Sequence, residues 1–178
     1  LCMMYEELSG DNPYFILDVG GDSIDIGLLD ATLRLTGTID EGGNSLTAAI
    51  AKELKLSHSK AHTIKVSHGL GAGSNQAKIL SAVNPILQKV SVEIKRMTRF
   101  YQERIKEGAE ISQILIVGGG ANMPGLGDYL TDVTRIPTRV SSPWDTRIHF
   151  GKLKSPAKID LPRFLTCAGL ALAHDEEA

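Results

Sequence analysis

A short apolar run that ends in three consecutive glycines constrains this chain more than any other feature. It sits within residues 111–126, ISQILIVGGGANMPGL. Ile114, Leu115, Ile116 and Val117 are apolar and largely β-branched, which reads as a buried strand, although a run this short also fits a helix. Gly118, Gly119 and Gly120 follow, then Pro124-Gly125, then Leu126, Tyr129 and Leu130 at helical spacing. The predicted order is strand, glycine turn, helix. Glycines at the carboxyl end of a strand let another backbone or a flat ligand approach closely, because no Cβ intrudes. A helix start supplies unpaired N–H groups and a positive dipole end. This is where a nucleotide is expected. Taken alone, an isolated glycine cluster is more often a tight turn with no ligand. It is not a dinucleotide fingerprint, since Met123 stands where the third glycine belongs, and no Gly-Lys-Ser/Thr ending marks a P-loop.

A second motif strengthens the reading. Residues 14–19 (YFILDV) read as a buried strand, residues 24–29 (IDIGLL) as its return, and residues 33–39 (LRLTGTI) as a third strand. The first hairpin is LDVGGDSID, with Asp18 ending one strand, Gly20 and Gly21 in the turn, and Asp25 on the return. Consecutive amides in such a turn form an anion-binding nest, and a carboxylate beside it can hold Mg²⁺, usually through water. Asp as a plain turn residue is the common alternative, made less attractive by the distant glycine turn.

Between the motifs, Asn44 or Ser45 is expected to cap a helix to about Leu56, with Leu46, Ile50, Ala51 and Leu54 inward. Ser57 or Ser59 caps a second, shorter helix. His58 and His62 share one face of it, but a metal pair is much less expected than polar surface histidines, as no Glu adjoins either. Residues 69–73 read as a flexible loop. Residues 74–107 are strongly helical, with a break and fresh start at Asn84-Pro85. Ile86, Val90, Ile94, Met97, Tyr101 and Ile105 form one apolar stripe; the mixed charges beside it read as a solvated face. After the glycine turn, residues 135–140 read as a strand, 141–145 as a turn, 149–161 as irregular, and 164–174 as a terminal helix rich in small residues.

Composition excludes several classes. A formal net charge of −2 gives no general pull toward nucleic acid or anionic lipid, and 5% aromatics weaken any base-stacking surface. Cys2 and Cys167 are too isolated for a disulfide framework, so both are expected reduced in a cytoplasmic protein. The apolar tract 164–173 is too short to span a bilayer, so no direct membrane insertion is expected. The chain of 178 residues does not begin with Met and opens in what reads as the end of a helix, so a fragment is expected.

With both glycine turns placed, the chain resembles the actin-like ATPase superfamily. Residues 18–25 (DVGGDSID) are similar to its second phosphate motif and residues 114–126 (ILIVGGGANMPGL) to its adenosine motif. Between them, EGGNSLT (41–47) and AHTIK (61–65) resemble the segments leading to the ribose and adenine contacts. Within the superfamily the chain resembles the PilM family, cytosolic actin-like proteins of type IV pilus assembly. The pointers are the GGNSLT helix start, RFYQER, IPTRVSSPWD and RFLTCAGLALA. FtsA, the cell-division relative, shares the nucleotide motifs.

The resemblance implies an α/β, ribonuclease H-like fold of which this is the second lobe. That lobe has a mixed sheet with flanking helices and a small, mostly helical subdomain. Residues 1–43 and 108–178 would build the nucleotide-binding lobe and 44–107 the subdomain. It also implies ATP and Mg²⁺ as cofactors of the full-length protein, weakly held or absent in this piece. Asp18 would face Mg²⁺; Gly20, Gly21 and the amides of Asp22 and Ser23 would lie near the phosphates. Gly119, Gly120 and Ala121 would pass under the adenosine, with Met123 flanking it and Lys65 near ribose or adenine. No catalytic residue is implied, because nothing here positions an attacking water. Asp22 stands where many relatives have Gly, and His62 where many have Glu. The implied partner is a PilN-like inner-membrane protein, whose cytosolic N-terminal peptide would dock on the other lobe, with other pilus platform proteins. Self-association through surface the other lobe would cover is also expected. Three roles are open: a nucleotide-binding scaffold, an ATPase or kinase relative, and a protein-interaction module whose glycine turns are only structural.

Overall fold

The computed structural model describes residues 12–141, 152, 154, 156–157 and 160–175. The expected N-terminal helix end, most of the 141–145 turn and most of the 149–161 loop lie outside the described residues.

The three-stranded meander is present as β1 (Tyr14–Val19), β2 (Ile24–Asp30) and β3 (Thr32–Ile39). The apolar run before the glycines is β4 (Ile114–Val117), and β5 is Thr138–Val140. Together they make one mixed sheet of five strands in the order β3-β2-β1-β4-β5. β1–β2 and β2–β3 are antiparallel, whereas β1–β4 and β4–β5 are parallel. β4 is buried at all four positions, as its unbroken apolar run requires of a central parallel strand.

Alternation along the strands sorts side chains to two cores. Phe15, Leu17, Val19, Ile24, Ile26 and Leu28 join Ile114 and Ile116 on one face. Packed over them are α1 (Gly43–Leu54), α3 (Gln76–Arg104) and α4 (Leu126–Thr134). Tyr14, Leu29, Leu115 and Val117 face the other way, under Leu161 of the 3-10 turn Leu161–Phe164 and Leu165 at the start of α5 (Leu165–Asp175). α2 (His58–Ser67) leans on α1 through the fully buried Ala61.

Four sequence expectations need correction. α3 does not break at Pro85 but runs through it for 29 residues. Ile79 and Val83 before the proline and Ile86, Leu87 and Val90 after it are all buried in one core. Continuous burial on both sides outweighs the lost N–H and the ring's crowding. Asn84, expected as a cap, instead accepts a hydrogen bond from the Tyr129 hydroxyl at 2.9 Å. At α1, Gly42 is the N-cap and neither Asn44 nor Ser45 caps by its side chain; Asn44 Nδ2 donates to Asp22 Oδ1 at 2.9 Å. Ser57 does cap α2, accepting from the Lys60 amide. The 69–73 loop is docked: Leu70 is buried, and its amide donates to Pro124 O at 2.7 Å. Ile105 falls past the last turn of α3 and is exposed.

Candidate functional site

The two glycine turns meet because of strand register. β1 and β4 are adjacent and parallel, and Asp18 pairs with Val117. Gly20-Gly21 and Gly118-Gly119-Gly120 therefore leave the sheet side by side at the carboxyl ends of neighbouring strands. That is where open α/β sheets hold ligands.

The glycines of the second turn are demanded first by the chain itself. Gly118 has φ +84°, a left-handed conformation, and a Cβ there would fall on Oδ1 of Asp18. A Cβ on Gly120 would run into Cγ1 of Val19. The turn thus closes directly onto the end of β1. It continues as a single 3-10 turn, Gly119–Asn122, before α4 begins at Leu126. This corrects the expectation that the following helix offers its N-terminus: no residue of α4 lines the cleft described below.

The first turn is tied to the start of α1. The Gly43 amide donates to Gly20 O at 2.9 Å and the Asn44 amide to Gly21 O at 2.8 Å. A Cβ on Gly42 would stand 2.6 Å from Gly21 O. Gly20 N–H donates to Ser23 O at 3.0 Å, closing the hairpin, so it is not part of a free anion nest.

Between these turns lies a cleft of about 690 Å³, within the usual size range of small-molecule sites. β1 and its hairpin contribute Asp18, Gly20 and Gly21, and the start of α1 contributes Gly43 and Asn44. α2 contributes His62, Thr63, Lys65, Val66 and Ser67; the second turn contributes Gly118, Gly119, Gly120, Asn122 and Met123. Asp160, Arg163 and Thr166 complete the wall.

Most sequence-named residues converge here: Asp18, Gly20, Gly21, Lys65, Gly119, Gly120 and Met123. Asp22, Ser23 and Ala121 do not line the cleft. Asp22 is held by Asn44, the Ser23 hydroxyl donates to Asp25 Oδ2 at 3.2 Å, and Ala121 is buried with its amide on Gly118 O. The Asp22 carboxylate is thus held by Asn44, which itself lines the cleft. Sequence reading missed Asp160, which lies in the irregular 149–161 stretch, Arg163, and Thr166, which lies in the helix expected over 164–174.

The charged groups are specific in kind. Burial raises the Asp18 carboxyl above its ordinary 3.8, Asp25 raises it further, and the bond from Thr166 Oγ1 (3.4 Å) opposes both. Lys65 is only 6% exposed; its Nζ donates to Gly43 O at 2.6 Å, and burial lowers its pKa below 10.5. Desolvation, and then the charges of Lys65, Arg163 and His58, lower the His62 pKa below its ordinary 6.5. Among the described residues no cluster of three or more metal-ligating side chains occurs. A hard cation here would lean on Asp18 and on oxygens supplied by its ligand and by water.

Comparison with known proteins then decides the family. The family model of type IV pilus assembly protein PilM matches residues 10–175. This chain belongs to the PilM family. It is also similar to cell division protein FtsA of Neisseria meningitidis, at 25% identity over 87% of this chain and 41% of that protein. Among solved structures it is similar to a chain of the PilM–PilN type IV pilus biogenesis complex, with a TM-score of 0.73 and 23% identity over 97% of this chain and 50% of that one. MreB5 of Spiroplasma citri bound to ADP matches with a TM-score of 0.64 and 15% identity, over 93% of this chain and 54% of that one. The fold of this PilM-family chain is thus actin-like, and it spans about half the length of the chains it matches. No helix among the described residues is long and apolar enough to cross a membrane.

Proposed function

We propose that this PilM-family chain supplies one half of an adenine-nucleotide site. Its protein would act as a nucleotide-binding scaffold on the cytoplasmic side of a type IV pilus inner-membrane platform. One observation carries the reading: the register of Asp18 with Val117 brings both glycine turns to the rim of one cleft. An actin-like neighbour that carries ADP supports the ligand class.

The residues fit Mg-ATP. Asp18 is a half-buried carboxylate whose charge is opposed by burial and by Asp25, so a divalent cation would relieve it. Gly21 and the backbone of the second turn offer close approach without side chains. Lys65 presents a buried ammonium whose recorded acceptor is a neutral carbonyl. When bound, Mg²⁺ would neutralise phosphate charge. Asp18 would orient its water shell, and Lys65 would bind an anionic or hydroxyl oxygen.

The partner would be a PilN-like inner-membrane protein, since a similar solved chain comes from a PilM–PilN complex; membrane association would come through it. Similarity to FtsA proteins favours a second reading, a cell-division role. It ranks lower because the PilM model spans nearly the whole chain. The deciding experiment titrates the full-length protein with the partner's cytosolic N-terminal peptide, with and without Mg-ATP. A severalfold change in affinity supports the scaffold reading. Equal affinities beside rapid ATP hydrolysis would favour the enzyme reading.

A further inference from the structure

β3 is the outermost strand of the sheet, and among the described residues it pairs only with β2. Its outer edge presents backbone N–H and C=O groups with no strand beside them, which is a template for another strand. Edges of this kind are commonly blocked by lysine, proline or an irregularity. The residues of β3, TLRLTGTI, include neither lysine nor proline. The one register shift leaves Arg34 without a partner on β2, and Arg34 Nε donates back to Asp30 O at 3.0 Å. Beyond it, Leu35 to Ile39 pair regularly with β2 and carry no charge.

A groove of about 780 Å³ runs beside this regular half, between residues 37–41 and the α3 side chains Lys89, Val92, Glu93 and Arg96. Gly37 lets α3 close onto the strand, since a Cβ there would stand 2.8 Å from Glu93 Oε1. Two ion pairs fix the groove's side chains, Lys89 with Glu41 at 2.8 Å and Arg96 with Glu93 at 2.6 Å. Val92, between them on α3, is apolar and yet 64% exposed. The two ends of the strand differ in sign. The groove end holds three carboxylates, Asp40, Glu41 and Glu93, against two cations. The other end holds Arg34 and Lys106, both acting on the single carboxylate of Asp30.

We propose that β3 is an interface between two copies of this protein, paired antiparallel and edge to edge about a twofold axis normal to the sheet. Antiparallel pairing sets the acid-rich end of each β3 against the cation-rich end of the other. With the axis near Gly37, the exposed Thr36 of one copy lies opposite the exposed Thr38 of the other, a cross-strand pair that favours a sheet. Both α3 helices then lie over the same face, with their Val92 side chains directed toward each other across the axis, and the two sheets continue as one. The same surface serves both copies, as a twofold requires. The contact is short, so the dimer belongs to the weak, concentration-dependent class. This proposal is independent of the nucleotide reading.

The test is sedimentation velocity of the full-length protein, from low micromolar to several hundred micromolar. The expected result is a monomer–dimer equilibrium. Thr36→Lys charges the free edge, and Val92→Lys places like charges across the axis. Each should weaken the dimer roughly tenfold. Both positions are exposed, so thermal midpoints should stay near that of the unaltered protein. Asp40→Arg and Arg34→Asp should each weaken the dimer too, and the double variant, which exchanges the two ends, should restore it. A protein that is monomeric throughout the range would overturn the proposal. So would a dimer that Thr36→Lys and Val92→Lys leave intact, which would place self-association on another surface. Failure of the double variant to restore the dimer would overturn the antiparallel pairing. A monomer whose β3 amides are protected from hydrogen exchange would assign the edge to another segment and not to a second copy.

Discussion

The ammonium of Lys65 donates to the carbonyl oxygen of Gly43 at 2.6 Å, joining the last turn of α2 to the first residue of α1. Gly43 in turn donates to Gly20. One lysine is thus linked through a single residue, Gly43, to the first glycine turn. Thr47 Oγ1 also reaches Gly43 O, at 2.8 Å, so that oxygen keeps a donor if Lys65 is replaced. Lys65→Met is therefore expected to alter ligand-free stability by less than about 1 kcal/mol. The pH dependence should change more clearly. Burial lowers the folded pKa below the ordinary 10.5, so between those values the unfolded chain holds the proton and the folded one does not. Stability from this group rises with pH across that window. Denaturation midpoints followed from pH 7 to 10.5 should show this rise in the unaltered chain and lose it in the variant.

Asp18 is expected to lower stability while serving the site. Its folded pKa lies above 3.8, so in the window just above that value the folded state binds more protons and stability falls as pH rises. Asp18→Asn removes that fall and should raise the ligand-free thermal midpoint at pH 7. It should also abolish any Mg-dependent ligand effect. A lower midpoint in the variant would contradict the assignment of burial and Asp25 as the dominant influences.

Two neighbouring glycines should behave differently. A Cβ at Gly120 strikes the branched Val19 on a central strand, so Gly120→Ala should cost about 1–3 kcal/mol by urea denaturation, with or without ligand. At Gly119 the nearest atoms belong to the flexible, half-exposed Arg163, so Gly119→Ala should cost less than about 1 kcal/mol. Gly119 is the better position for probing the cleft, because Gly120 reports mainly on packing.

Far from the cleft, the Tyr101 hydroxyl donates to Asp30 Oδ2 at 2.5 Å, pinning the end of α3 to the β2–β3 turn. Burial and this bond push Tyr101 up to about 12, and Asp30 is lowered, first by Tyr101 and then by Lys106 and Arg34. Tyr101→Phe should cost about 1.5–3 kcal/mol at neutral pH. A lowered carboxylate contributes stability above its unfolded pKa and loses it as pH falls through the folded value. The difference between variant and unaltered protein should therefore shrink in acid, which urea denaturation at pH 7 and below pH 3.8 checks.

The meander and β4 were legible because alternation and an unbroken β-branched run are local signals. So were the two glycine turns, and with them Asp18, Gly119 and Gly120. What could not be read was set by distant partners. Pro85 looked like a helix start until tertiary burial on both sides carried α3 through it. Asn44 looked like a cap until Asp22 competed for its amide. Asp160 sits in the irregular 149–161 stretch and Thr166 in the helix expected over 164–174, and only the second core shows which way they and Arg163 face. The docking of Leu70 on Pro124 likewise joins segments that no local pattern relates.

The most direct test of the account is the thermal midpoint of the full-length protein with and without Mg-ATP, beside Asp18→Asn. A ligand bound only by the folded state raises the midpoint by mass action. The account predicts a rise of several degrees with millimolar Mg-ATP, lost in Asp18→Asn. No rise in the unaltered protein, or an equal rise in the variant, would contradict it and leave the two glycine turns as devices of packing alone.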